Sequence, residues 1–398
     1  MSAHTHTQPQ PIGGVIFTRP VIILAAFAGL AGALIVWRFA AGLGATTALN
    51  DGYPWGLWIA FDVVTGTALS CGGYAVALLV YILNKGKYHP LIRPALVTSA
   101  FGYSIAGLSV MIDIGRPWLA YKLPLFWHWN LNSVLLEVAL CIITYTIVLW
   151  LELSPAFLER AKSSSVSALR RLGEIGLPIA RKSLLWLTAF GMLLPTMHQS
   201  ALGSLLLLSG PRLNPLWSTT LLPLLFLLSC IAMGFGAVVI EGSLSALFLR
   251  RKPETDMLAG LGSAMRPLLV LYLGIRLIDL AVRGQLGALF AFDLYSVMAL
   301  LEMALLVVAL VLLASDAQRR DLGNLFRAAM LLILAGALYR FDTFLVAFSP
   351  GAHWAYFPNV TEILITAGLV AGEIAGYIIL IKLFPIVAGA PRRALAHS

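Results

Sequence analysis

This chain has little charge. Only 11% of its 398 residues are Asp, Glu, Lys or Arg, while 60% are hydrophobic. That excludes an ordinary soluble domain, whose charged share is about 25%, and it excludes intrinsic disorder. Cysteine is scarce too. Cys71, Cys141 and Cys230 are dispersed, each inside an apolar run and none in a CxxC spacing. They supply no disulfide framework and no zinc or iron–sulfur ligand set. Paired histidines are missing as well. Of seven histidines only His198 falls well inside an apolar run. A b-type haem in a helical bundle uses paired axial histidines. The sequence therefore predicts no haem, no iron–sulfur cluster and no metal in this chain.

What the chain does have is long hydrophobic runs. Ten lie at about 20–43, 55–83, 91–115, 130–152, 183–208, 221–249, 265–283, 290–314, 324–347 and 360–385. Runs of this length cross a bilayer as helices. The expected fold is all-α: a polytopic transmembrane bundle of about ten helices. Residues 1–19 and 386–398 read as polar tails flanking a membrane domain at 20–385. The charged, Ser-rich connection 153–182 reads as a long loop between helices 1–4 and 5–10. No repeat is visible between these halves. No charged leader with a small-residue cleavage site heads the chain, so no cleaved signal is expected.

A net charge of +9 would suit nucleic acid, but its placement suits a membrane. Twenty Lys and Arg lie in alternate connections and at the two ends. Only four, Arg116, Lys122, Arg212 and Arg283, lie in the opposite connections. The positive-inside rule then places both termini in the cytoplasm. The expected partner is the lipid bilayer, and nucleic acid is not one. The opposite connections are aromatic: YPWGLW at 53–58, PLFWHW at 124–129, NPLW at 214–217 and HWAYFP at 353–358. They form a headgroup belt, or a floor for an extracytoplasmic partner.

Charges inside the spans cost roughly 2.5–3.5 kcal/mol each on insertion scales, so function is the default reading. The stretch from Phe101 to Glu137 concentrates them. Asp113 and Arg116 are three apart and would share a helix face. Asn130, Ser133 and Glu137 would form one polar stripe. Asp62, Arg276, Asp279, Arg340, Asp342 and Glu362 are expected at the same aromatic side, with His198 more central. Glu302 and Glu373 fall near mid-span, and Glu241 toward the other side. Glu362 and Glu373 are 11 apart, with Thr366 and Tyr377 extending the line. Acids at graded depth read as a proton path through Glu137, Glu241, Glu302, Glu362 and Glu373. The structural alternative is hydrogen bonding and ion pairing, such as Arg276 with Asp279. With no haem ligands and no cysteine cluster, the chain cannot relay single electrons alone.

Seven stretches in order carry a resemblance. They are GYPWGLWIAFDVVTGTALSCGG (52–73), KYHPLIRPALVTSAFGYSIAGLSVMIDIGRPW (87–118), NLNSVLLEVALC (130–141), LLPTMHQSALGSL (193–205), VIEGSL (239–244), FDLYSVMALLE (292–302) and YFPNVTEILI (356–365). The chain resembles the NrfD/polysulfide-reductase family of quinone-reactive membrane subunits. Within it, the resemblance is closest to the HybB-type branch that serves uptake nickel–iron (NiFe) hydrogenases. That implies a subunit passing electrons to menaquinone or ubiquinone from a periplasmic ferredoxin-type iron–sulfur subunit. Through this it implies the hydrogenase small and large subunits as partners. It implies a quinone pocket near the periplasmic face. Asp62, Asp113, Arg116, Asn130, Glu137 and His198 lie in matching stretches and are the candidates for quinone binding and proton exchange. Proton translocation, another NrfD-type donor (a polysulfide, nitrite or molybdopterin enzyme), a proton-coupled secondary transporter and a purely structural anchor stay open here.

Overall fold

A computed structural model describes residues 9–248 and 254–387. Ten long helices follow one another: α1 Arg19–Ala41, α2 Trp58–Ile82, α3 Ile92–Asp113, α4 Val134–Lys162, α5 Ser167–Leu207, α6 Leu222–Phe248, α7 Thr255–Val282, α8 Leu294–Leu312, α9 Leu322–Val346 and α10 Val360–Leu383. Nine of the helices among the described residues are long and apolar enough to cross a membrane. The exception is α7, expected at 265–283 but starting ten residues earlier. It is long enough, and it carries Asp256, Arg266, Arg276 and Asp279 along its length. No strand occurs among the described residues beyond an isolated bridge between Leu213 and Phe348.

Helices α2–α5 pack as one group and α6–α9 as a second. The groups meet where α6 lies against α5 and α2 and where α9 lies against α2. The first and last helices pair with each other and dock on α3. Small residues permit the close approaches, as is common between membrane helices. A Cβ on Gly234 of α6 would stand 2.6 Å from the Cys71 carbonyl of α2, and one on Gly368 of α10 would stand 2.6 Å from the Phe27 carbonyl of α1.

The connection expected at 153–182 is not a loop. Helix α4 runs to Lys162 and α5 begins at Ser167, leaving four residues for the turn. The 41 residues of α5 make a rod of about 60 Å, twice the hydrocarbon thickness of about 30 Å. Hydropathy marks where lipid ends; it does not mark where a helix ends. Polar Lys, Arg and Glu are good helix formers, so both helices continue past the apolar run.

The aromatic connections interlock at one end of the bundle. Trp55 Nε1 donates to the Phe344 carbonyl at 2.5 Å, Asn50 Nδ2 to the Ala355 carbonyl at 3.0 Å, and Asn214 N to the Ala347 carbonyl at 2.9 Å. We call this end the aromatic face. Arg93, Arg181 and Glu159 cluster at the other, the basic face. Residues 1–8, 249–253 and 388–398, with much of both expected tails and with Arg250, Arg251 and Lys252, lie outside the described residues.

Candidate functional site

Helix α2 is irregular where the chemistry is densest. Its first stretch, Trp58–Thr65, is π-helical, and the chain breaks at Ser70–Cys71 before resuming at Gly72. Such widened turns are frequent at functional sites. Asp62 lies in the π stretch, 3% exposed. Its Oδ2 accepts from Thr366 of α10 at 3.0 Å and from Ser109 of α3 at 3.3 Å.

From Asp62 a line of polar groups follows the α3–α10 seam toward the basic face. Glu373 of α10 is flanked by the carboxyls of Asp62 and Glu241. It stands beside Gly102, where a Cβ would meet Ser70 Oγ and come within 3.5 Å of Glu373 Oε1. Glu241 of α6 accepts from Tyr377 at 2.6 Å and from Thr98 at 2.9 Å. Of the α10 residues expected on one line, Glu362, Thr366, Glu373 and Tyr377, the last three lie along this seam, while Glu362 is turned to the loops. Thr98 and Ser109 mark its length along α3, 11 residues or about 16 Å.

At the aromatic end stand Glu362, Asp113 and Arg38. Glu362 is fully buried. It opens α10 in a capping box with Asn359 and accepts from Ala48 N at 2.8 Å and from Tyr356 Oη at 2.6 Å. Burial and this carboxylate push the Tyr356 hydroxyl up, so it stays a donor. The same oxygen accepts from Leu57 N at 2.7 Å. Glu362 is thus a saturated clamp across two loops. Asp113 has Arg38 and Glu362 as its charged neighbours, and its Oδ1 has no partner among the described residues. Arg38 is 3% exposed and donates to the Ile114 carbonyl at 2.7 Å.

Arg116 does not share a helix face with Asp113. Helix α3 stops at Asp113, the chain turns away through an extended Ile114, and Arg116 is exposed. The charge beside Asp113 comes from α1 instead. Asn130 also lies outside a helix, where its side chain holds a turn by accepting from Asn132 N at 3.1 Å. Ser133 caps α4, accepting from Leu136 N at 3.3 Å. The stripe Asn130–Ser133–Glu137 is therefore a helix start, because its first member precedes the cap. Glu137 is exposed and lies off the α3–α10 seam. It lines a groove of about 450 Å³ between α4 and α5, together with Trp129, Ser133, Cys141, Thr144, Leu194 and Met197.

His198, next in the chain to Met197 of that groove, is fully buried. Its Nε2 lies 3.4 Å from Thr67 Oγ1, to which Gln199 Nε2 donates at 3.0 Å. Its ring stands edge-on to Tyr103 at 5.6 Å. Nδ1 has no partner among the described residues. The Arg340 guanidinium, also fully buried, donates to the carbonyls of Val64 and Phe226 at 3.2 and 2.8 Å and to Ser229 Oγ at 3.1 Å. It ties α9 to α2 and α6 without a carboxylate.

Glu302 belongs elsewhere. Trp217 Nε1 donates to it at 3.0 Å and Arg276 lies 3.4 Å away, with the Asp342 carboxyl facing it. This cluster sits among α7, α8 and α9, so Glu302 does not join the Glu373–Glu241 line. Asp279 pairs with Arg283 at 2.6 Å and accepts from Thr219 at 2.7 Å, so the expected Arg276–Asp279 pair is replaced by two others. Sequence reasoning also passed over Arg38, Thr67, Tyr103 and Glu152. A lone arginine at 38 within an apolar run was a usable signal. Tyr103 and Thr67 carried none, because aromatics and hydroxyls are ordinary in such helices.

The family profile described as "Polysulphide reductase, NrfD" matches residues 45–349. A protein of Escherichia coli K12, the "Probable Ni/Fe-hydrogenase 2 b-type cytochrome subunit", is 44% identical over 386 residues, covering 95% of each chain. A second relative, from Nitratidesulfovibrio vulgaris, is 33% identical over 374 residues, 92% of this chain and 93% of its own. The "Menaquinone reductase, integral membrane subunit" of the same organism is 36% identical over 172 residues, 42% of this chain and 38% of its own. The E. coli name includes a cytochrome, which calls for haem ligands. Of the described histidines, His89 lies on the basic-face turn, and His128 and His353 are exposed in aromatic loops. None of these can pair with His198 across an iron, so this donor set does not fit a bis-histidine haem. Among the described residues no three His, Cys, Asp or Glu gather as a metal site.

Proposed function

The chain belongs to the NrfD family of integral membrane subunits, and on that premise we propose that it is the quinone-reactive membrane subunit of a respiratory nickel–iron hydrogenase. In this reading it brings no redox centre of its own. An iron–sulfur subunit docks on the aromatic face, and electrons pass from it to menaquinone or ubiquinone held in the bilayer. The hydrogenase assignment draws on the full-length E. coli relative, and the quinone on the menaquinone reductase subunit.

The observation that carries the reading is the groove between α4 and α5. Its volume of about 450 Å³ falls in the usual range for small-molecule sites, about 300–1,000 Å³. It is apolar along most of its wall, with Asn132, Ser133, Glu137 and Thr144 as polar exceptions. It lies at the aromatic-face end of α4, where a partner's electrons would arrive. Met197 and Thr144 in its wall adjoin His198 and Tyr145 in sequence, which face inward and are buried. A quinone ring in the groove is thus one side-chain layer from the His198–Thr67–Gln199 cluster.

Reduction of a quinone consumes two electrons and two protons. Glu137 and Ser133 offer an acid and a hydroxyl at the mouth. A carbonyl that becomes anionic needs a donor placed before the charge develops. His198 and Gln199 are candidates at the inner wall. Asp113, Asp62, Glu373 and Glu241 supply a proton route along the α3–α10 seam, while Glu362 clamps the loops above it.

The test uses the assembled complex. Hydrogen-driven reduction of a quinone analogue is measured beside hydrogen-driven reduction of an artificial dye. Thr144→Trp, which fills the groove from its exposed rim, is expected to raise KM for the quinone analogue about tenfold or more. Glu137→Gln is expected to lower kcat. Both spare dye reduction. Parental quinone kinetics in both variants would move the site elsewhere.

A further inference from the structure

Glu152 is a carboxyl in the membrane part of α4 that the proposed reaction has not used. Eighteen residues separate it from the start of that helix at Val134, about 27 Å of rise, so it lies in the basic-face third. Two turns further on, Glu159 is paired with Arg93 at 2.9 Å and Arg181 at 3.4 Å. Glu152 has no such cation among the described residues. What faces it is neutral: Thr188 and Gly191 of α5, Tyr74 and Tyr81 of α2, and Tyr145 of its own helix. An ionised carboxylate placed so would be an uncompensated charge in hydrocarbon, which costs far more than protonating it.

The fit around it is close. A Cβ on Gly191 would lie 3.0 Å from Glu152 Oε2, so any side chain there would push the carboxyl a few tenths of an ångström off α5. Between Glu152, Tyr74, Tyr81, Tyr145 and Thr188 is a cavity of about 10 Å³, close to the volume that admits one water. Tyr81, at the basic-face end, is 47% exposed and forms the outer wall of this chamber. Inward, Tyr74 Oη meets Thr196 Oγ1 at 2.7 Å. The Tyr145 and Tyr103 ring centroids stand 4.5 Å apart and those of Tyr103 and His198 5.6 Å, while the Tyr103 hydroxyl lies 3.7 Å from Cys71 Sγ. The file ends at Thr67, which both His198 and Gln199 address.

We propose that Glu152 is a protonated carboxyl that takes protons from the basic face and passes them along Tyr145 and Tyr103 to the His198 cluster. The rings are in contact, and a turn of a ring or an intervening water brings one hydroxyl to the next; each hydroxyl then releases the proton that it holds as it receives one, and Glu152 regains its own from water at the Tyr81 end. No electrons move along this file. Its purpose rests on the quinone reading above; the protonation of Glu152 does not. It is a second route, separate from the α3–α10 seam, and it joins the site from the α4–α5 side. Electrons entering at the aromatic face and protons entering from the basic face would make quinone reduction charge-separating.

Two measurements test this. The first is infrared spectroscopy of the full chain in lipid nanodiscs at neutral pH, which needs neither partner nor quinone. The difference between the parent and Glu152→Gln is expected to show loss of one carboxylic-acid carbonyl band that shifts in D2O. Loss of ionised-carboxylate bands alone overturns the proposal. Gly191→Ala, which displaces the carboxyl without removing it, is expected to shift the same band. An unmoved band places Glu152 away from the α5 seam and overturns the geometry. The second is quinone-analogue reduction by the assembled complex. Glu152→Gln is expected to slow it about tenfold or more, with Glu152→Asp restoring part of the rate and dye reduction unchanged. A parental rate in Glu152→Gln overturns the relay. A parent that reduces no quinone sinks the functional reading, while the infrared result still decides the state of Glu152.

Discussion

Asp62 and Thr366 are 304 residues apart in the chain and share a hydrogen bond of 3.0 Å. That contact joins the first irregular helix to the last straight one, at the depth where the seam of acids begins. Thr366→Val keeps the shape and removes the hydroxyl, leaving Ser109 at 3.3 Å as the donor to Oδ2. A lost bond to a carboxyl costs about 1–3 kcal/mol. We expect Thr366→Val to lower the melting temperature of the purified chain modestly. Asp62→Asn is expected to slow quinone reduction by the complex with dye reduction intact. Parental quinone rates in Asp62→Asn would take Asp62 off the proton route.

Glu362 is expected to behave differently from the other acids of that line. It accepts from Ala48 N, Asn359 N and Tyr356 Oη, and each charge-assisted bond contributes about 1.5–3 kcal/mol. Glu362→Gln replaces an acceptor oxygen with a donor that faces N–H groups. The expected result is a large fall in thermal stability and faster proteolysis of the loops at 45–57 and 348–359. Glu241→Gln should melt close to the parent, since its partners Thr98 and Tyr377 are hydroxyls that can reverse their roles. Equal melting of the two variants would show that Glu362 is no clamp.

Arg340 is the counterpart with positive charge. Its guanidinium reaches Val64, Phe226 and Ser229 together and lies 4.7 Å over the Phe226 ring. Lysine cannot reproduce a planar fork. Arg340→Lys is therefore expected to reduce the yield of folded protein and to lower its melting temperature by more than Thr366→Val does. Melting curves in one detergent compare them. A variant as stable as the parent would mean that the α2–α6–α9 junction does not depend on the fork.

The orientation of the bundle is open to labelling. With the native cysteines replaced, a single cysteine at Ser164, in the turn between α4 and α5, is expected to react with an impermeant reagent only from the cytoplasmic side. One at Gly351, on the aromatic face, is expected to react only from the periplasmic side. The reverse pattern would invert the electron entry face proposed above.

Much of the molecule was legible in the sequence, because hydrocarbon imposes local rules. A helix is the solution for an apolar run in lipid, so the spans could be read from hydropathy, nearly helix by helix. Three of the four α10 residues expected on one line, Thr366, Glu373 and Tyr377, were legible for the same reason, since helical spacing needs no neighbour; Glu362, the fourth, is taken by the loops at Ala48 and Tyr356. The failures came where neighbours decide. Asp113 faces Arg38, 75 residues earlier, and not Arg116 three residues later, because the helix ends between them. Glu302 had the depth and chemistry of a proton-path acid, yet α8 packs it against Arg276 and Trp217, away from α10. Glu152 stood at the edge of an apolar run in the sequence, and only the packing of α4 on α5 shows it facing Thr188 and Gly191. The sequence by itself determined which segments enter the membrane, since the cost of an unpaired backbone or charge in lipid is set residue by residue. The tertiary structure decided which buried polar groups face one another, since that depends on the packing of helices far apart in the chain.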